Sequence, residues 1–210
     1  MLLKGSFRLS RRPSFGVERT CRSLSSPSGY SIEHYIRPSE DFLQQYFDIY
    51  VASYNSLNLK DNMKRDDLYS RHTTRLLSKF ATVHAYVAED KLTKELIAGT
   101  LLLEIRTNED FELLKEEVGI DVHNSMRQSL HKYPDWKQLG LYFQKGSFKT
   151  TKNPVSELYQ RTFLGPPGIH MYSTIPSIHA KNKSMHSHTP ICSDMILGKE
   201  YTIYEFFLPT

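Results

Sequence analysis

The stretch Val83 to Ile105 reads VHAYVAEDKLTKELIAGTLLLEI. Two runs rich in strand formers, Val83 to Ala88 and Leu96 to Ile105, flank the polar segment Glu89 to Glu95, the pattern of two antiparallel strands and their connection. The first run alternates Val83, Ala85 and Val87 with His84, Tyr86 and Ala88, so at least one of its faces meets a core. The second is apolar nearly throughout, which predicts a strand covered on both faces. A strand buried on both sides needs helices above and below it, and the flanking sequence is read for them.

Upstream, Tyr30 to Arg37 alternates and reads as a first strand. Ser39 is placed to cap a helix whose first turn holds Glu40 and Asp41, where acids complement the helix dipole. Phe42, Leu43, Tyr46, Phe47, Tyr50 and Tyr54 recur at helical spacing and predict a face packed on a sheet. Met63 to Phe80 reads as a second amphipathic helix. Downstream, Thr107 or Asn108 caps a helical region that Gly119 divides and Pro134 ends. Leu139 to Phe143 fits a short strand or a helix turn, and the Lys145 to Lys152 run reads as exposed loop. Gly165-Pro166-Pro167-Gly168 is a turn leading into a strand from Ile169. Ile191 to Leu197 reads as a short helix and Tyr201 to Leu208 as a final strand. The order predicts an α/β or α+β layer arrangement with a mixed, mostly antiparallel sheet.

The chain has 210 residues, 39% apolar and 12% aromatic, enough to build a core. Its formal charge of +4 is unevenly spread. The first 30 residues hold six basic groups against Glu18, whereas the other 180 hold 21 basic and 22 acidic groups. A nearly neutral body offers no basic field for nucleic-acid phosphates. The Arg- and Ser-rich, acid-poor stretch 1–29 has the composition of a mitochondrial transit peptide, with a basic arm that binds an acidic partner as the alternative. The matrix is then the expected location and 30–210 a single domain. No apolar run approaches the roughly 18 residues that span a bilayer, which points to a soluble protein. Two cysteines, Cys21 and Cys192, are too few for a disulfide framework.

Tyr86-Val87-Ala88-Glu89-Asp90 followed by Leu96-Ile97-Ala98-Gly99-Thr100-Leu101 resembles the GNAT superfamily of N-acetyltransferases, especially the arylalkylamine N-acetyltransferase branch. The resemblance implies an acyl-CoA N-acyltransferase-like fold, acetyl-CoA as co-substrate and a small amine as acceptor. It also implies a fourth strand that ends in the acetyl-CoA loop, a place that Ile169 to His179 and then Ala180 to His186 would fill. Backbone N–H groups at such a helix start cradle phosphates, and glycines let the cofactor approach. In this alignment Lys181 stands for the family's Arg or Gln, Ser184 for its first Gly and His186 for its second, a departure from the pattern. The implied cofactor contacts are Ser177, Ile178, Lys181, Asn182, Lys183, Ser184 and Met185. Measured against the family, the chain is expected to stop short of a fifth strand, a fourth helix and a closing hairpin.

Acyl transfer to an amine requires a base near neutral pH, and His170 and His179 flank the strand in question. Tyr204 or Tyr201 could donate to the departing thiolate. The bland alternative makes these histidines ordinary strand or surface residues and the tyrosines core packing. His170, His179, His186, His188 and Cys192 include types that ligate zinc, but their spacings match no familiar ligand set, and no metal is assigned. Cys192 reads as buried or inert. Two functions follow: an acyl-CoA-dependent N-acetyltransferase-like enzyme acting on a small amine, or a non-enzymatic mitochondrial binding protein or assembly subunit with a protein partner.

Overall fold

The computed structural model describes residues 29–55, 79–80, 82–149, 165–174, 188–196 and 199–209. The hairpin at its centre is β2 (Val83–Asp90) and β3 (Leu96–Ile105), antiparallel as expected. Asp90 shapes the connection: its carboxylate accepts from the backbone N–H of Leu92 and Thr93 at 2.8 and 2.9 Å. Lys94 closes the turn in the left-handed region at φ 60°. Nine of the ten residues of β3 are buried, so both its faces are covered. Each Leu withdrawn from water in this way contributes about 1.5–3 kcal/mol.

Seven strands form one sheet in the order β1-β2-β3-β4-β5-β7-β6. β1 (Tyr30–Ile36) pairs antiparallel with β2, and β4 (Leu141–Lys149) antiparallel with β3. β5 (Gly168–Thr174) runs parallel to β4 and antiparallel to β7 (Lys199–Leu208), which pairs with the edge strand β6 (Thr189–Ile196). The short helix expected at Ile191 to Leu197 is therefore a strand, because it finds its hydrogen bonds along β7. The expectation that the chain stops short of a closing hairpin is likewise corrected, since β6 and β7 form one. The strand beginning near Ile169 is the fifth and not the fourth.

Helix α1 (Glu40–Asn55) starts as expected, with the Phe42 N–H donating to Ser39 Oγ at 3.2 Å. The division at Gly119 is also found: α2 (Asn108–Leu113) and α3 (Lys115–Val118) precede it and α4 (Ile120–Leu130) follows. Thr107 and Asp110 form a reciprocal capping box at the start of α2. A last turn, α5 (Trp136–Leu139), leads into β4. Nearly all of the helix proposed for Met63 to Phe80 lies outside the described residues, and the last two, Lys79 and Phe80, are not helical.

One face of the sheet carries the main core. Tyr46 and Phe47 of α1 and Leu114, Val122 and Met126 of the later helical segments pack with Val87, Leu101, Phe143, Phe148 and Met171 of the strands. The opposite face carries a row of rings from β1 to β7. His34 stacks on Tyr86 at 4.1 Å, Tyr142 on His170 at 5.0 Å and His170 on Phe206 at 4.9 Å.

Candidate active site

Strand β4 holds an irregularity that creates a site. Leu101 faces Gly146 while Leu102 faces Gln144, which leaves Lys145 as an extra residue in the ladder. Phe143 and Phe148 are an odd number of residues apart, yet both lie in the same core cluster. Side chains alternate along a regular strand, so the inserted residue is what lets both point to the helical face. Tyr46 of α1 docks here, its hydroxyl donating to the Gly146 carbonyl at 2.7 Å.

The strands also part at this level. β4 pairs with β5 only from Leu141–Ile169 to Gln144–Tyr172, and β4 then runs on to Lys149. Beyond Gln144 its edge toward β5 carries no strand pairing among the described residues. This is the sheet's one parallel pair among those residues, and crevices beyond the carboxyl ends of parallel strands are where open sheets hold ligands.

A cavity of about 210 Å³ opens at the divergence, lined by Tyr50, Glu117, Lys145, Ser173, Asp194 and Tyr201 among others. These residues come from α1, α3, β4, β5, β6 and β7, so no local stretch of chain builds it. Lys145 lies within it with its side chain 7% exposed and in ion-pair contact with Glu117, whose side chain is 17% exposed. Burial pushes the Lys145 ammonium down to about 7, while the adjacent carboxylate acts the other way and favours the charged form. The reading of Lys145 to Lys152 as exposed loop is corrected, since Lys145 to Lys149 belong to β4, where Gly146 to Lys149 pair with β3, and the rest lies outside the described residues. The apolar neighbours Leu141 and Phe143 were the only signal that could have found Lys145.

Of the catalytic residues proposed from the sequence, His170, Tyr201 and Tyr204 are described: Tyr201 lines the cavity, while His170 and Tyr204 lie on the opposite sheet face. His170 is 3% exposed. Its Nε2 donates to the Pro166 carbonyl at 2.8 Å, with the ring between Tyr142 and Phe206. Burial pushes it down to about 4, so it is neutral at physiological pH. Tyr204 stacks on Tyr172, whose hydroxyl shares a hydrogen bond with His188 Nδ1 at 2.5 Å. Rings thus join His170 and Tyr204 through Tyr172 and Phe206. His179 and the proposed cofactor contacts Ser177, Ile178, Lys181, Asn182, Lys183, Ser184 and Met185 lie outside the described residues.

Cys192 is half-buried on β6, and burial pushes its thiol up, away from thiolate chemistry. No three His, Cys, Asp or Glu side chains converge as a metal site among the described residues. No helix among those residues is long and apolar enough to cross a membrane. A larger, more open groove of about 530 Å³ lies against Phe111, Arg127, Tyr133 and Trp136. Its guanidinium is engaged by Glu112 and lies over the Phe111 ring, which leaves less chemistry on offer there.

No protein-family model matches the sequence, and no curated protein matches it. Solved structures do match its shape. FeeM, an N-acyl amino acid synthase from uncultured soil microbes, superposes with a TM-score of 0.52 at 8% identity, over 84% of this chain and 90% of that one. The C-terminal condensation domain of Ebony, solved with beta-alanyl-dopamine, gives 0.51 at 12% identity over 84% and 99%. A mosquito arylalkylamine N-acetyltransferase like 5b gives 0.46 at 13% identity over 84% and 100%. With its seven-stranded, mostly antiparallel sheet, single parallel β4–β5 pair and flanking helices, the described chain has the acyl-CoA N-acyltransferase fold.

Proposed function

We propose that this chain is an acyl-CoA-dependent N-acyltransferase that acylates a small amine in the cavity between β4 and β5. The observation that carries the reading is the parting of β4 from β5 past Gln144 and Tyr172, beside a cavity that holds Glu117 and Lys145. An unpaired strand edge can accept the amide groups of an extended pantetheine arm by adding to the sheet. That arm would present a thioester to the cavity, the activated acyl group that the reaction needs. Glu117 and Asp194 supply negative charge toward an ammonium substrate, and Tyr50 and Tyr201 supply ring surface for its carbon skeleton. FeeM makes N-acyl amino acids by its name, and Ebony's domain was solved with an N-acylated amine; both agree with this reaction class.

The test is thermal stabilisation by acetyl-CoA, followed by amine-dependent release of free thiol from a panel of small amines. Cofactor at a hundred times its dissociation constant adds about 2.7 kcal/mol to stability. An unchanged melting temperature at millimolar acetyl-CoA would remove the enzyme reading and favour the non-enzymatic binding or assembly role. Location in the mitochondrial matrix is part of the proposal and rests on the composition of residues 1–29. Residues 1–30 fused to a fluorescent protein should direct it to mitochondria, and a diffuse cytosolic signal would refute the assignment.

A further inference from the structure

A lysine and a carboxylate, both largely withdrawn from water, are costly to hold, and such pairs are often matched or bettered by apolar residues of similar volume. The Lys145–Glu117 contact therefore calls for a reason other than stability. Three features of its placement supply one. Lys145 is the inserted residue of β4, and insertions of this kind re-aim side chains at sites. Its amine sits where the parallel strands part, beside the cavity. The polar groups around that cavity come from separate elements: Tyr50 of α1, Glu117 of α3, Ser173 of β5, Asp194 of β6 and Tyr201 of β7.

Resting on the acyltransferase reading, we propose that Lys145, with Glu117 beside it, is the proton-transfer group of this cavity. The neutral Lys145 amine takes a proton from the substrate ammonium, freeing the nitrogen lone pair. That nitrogen bonds to the thioester carbonyl carbon and the carbon–sulfur bond breaks. The Lys145 ammonium gives its proton to the departing thiolate, and the neutral amine it regenerates takes the second proton from the newly formed amide nitrogen. That proton passes to solvent, so each turnover yields amide, thiol and one released proton. Glu117 remains a carboxylate throughout and raises the proton affinity of its partner. An amine at a pKa of about 7 is divided between its two forms at physiological pH, as this cycle requires.

Competitive labelling with acetic anhydride and peptide mass spectrometry, between about pH 5 and pH 10, reads the titration of Lys145 without any acceptor amine. The expected midpoint lies well below the ordinary lysine range, and Glu117→Gln moves it lower still. A midpoint in the range of surface lysines overturns the proposal. Acyl transfer should fall about 100-fold or more in both Lys145→Met and Lys145→Arg, with the acetyl-CoA dissociation constant within about twofold of wild type. Arginine keeps the charge but does not release its proton. Retained transfer in Lys145→Arg would mean that a fixed cation suffices, and would also overturn the proposal. Failure of the wild-type protein to bind acetyl-CoA defeats the acyltransferase reading itself and this role with it, an outcome distinct from a cofactor-binding protein whose Lys145 titrates normally.

Discussion

Replacing Gly99 by alanine adds one methyl group at the centre of β3, and the surroundings decide the sign of its effect. A glycine inside a strand ordinarily costs about 0.5–1 kcal/mol relative to alanine, so the backbone alone favours the substitution. The space does not. The new Cβ would lie 2.9 Å from Tyr46 Cε2, 3.0 Å from Phe148 Cε1 and 3.0 Å from Val87 Cγ1. Tyr46 and Val87 are 0% exposed and Phe148 is 2% exposed, so none can swing into solvent. Tyr46 is further held by its hydroxyl bond to the Gly146 carbonyl. Overpacking a tight core costs roughly 1–3 kcal/mol, which outweighs the backbone gain, leaves a net loss of up to about 2.5 kcal/mol and lowers Tm by up to about 10 °C in a domain of this size. The strain travels to the site, because displacing Tyr46 loosens the Gly146 carbonyl next to Lys145. Urea unfolding of Gly99→Ala against Gly29→Ala, where nothing lies within 4 Å of the added methyl, isolates the packing term. A Gly99→Ala protein as stable as wild type, or more so, would refute the packing of α1 on β3 described above.

Three further outcomes are expected. His170 has its folded pKa lowered from 6.5 to about 4, so its contribution is present above 6.5 and is lost as pH falls toward 4. That is about 3 kcal/mol of acid sensitivity, and His170→Phe should flatten it in urea midpoints measured across this window; an unchanged pH slope would show that His170 titrates normally. Glu205, 2% exposed, is bonded by Ser129 and by Lys132 at 2.7 Å. Lys132→Met should therefore cost about 1–2 kcal/mol, more than Lys79→Met at the exposed Lys79–Glu116 pair, worth about 0–1 kcal/mol; equal thermal shifts would contradict this. Thr107→Ala removes one half of the α2 capping box and should lower stability by about 1 kcal/mol, read by chemical denaturation. A neutral result would mean that solvent replaces the cap.

Local patterning carried much of the fold. The central hairpin, the Ser39 and Thr107 caps, the break at Gly119 and the double-sided burial of β3 all follow from alternation, capping chemistry and backbone preference within about a dozen residues. What local pattern could not decide was pairing at a distance. Ile191 to Leu197 is short enough to suit a helix turn or a strand, and only β7 alongside it settles the matter. The strand count slipped for the same reason, because the polar text of Gln144 to Ser147 hides a strand whose partner, β3, lies some forty residues earlier.

The site shows this division most sharply. By itself the amino-acid order determined a covered two-stranded centre with helices before and after it, because those signals are short-range. Only the tertiary structure brought Lys145 against Glu117 in a cavity that Tyr50 and Asp194 also line. An inserted residue in β4 turns the lysine inward, and the parting of two parallel strands makes room for it. Neither event has a local sequence signature, since a side chain's burial and its charge partner depend on which distant segments fold over it.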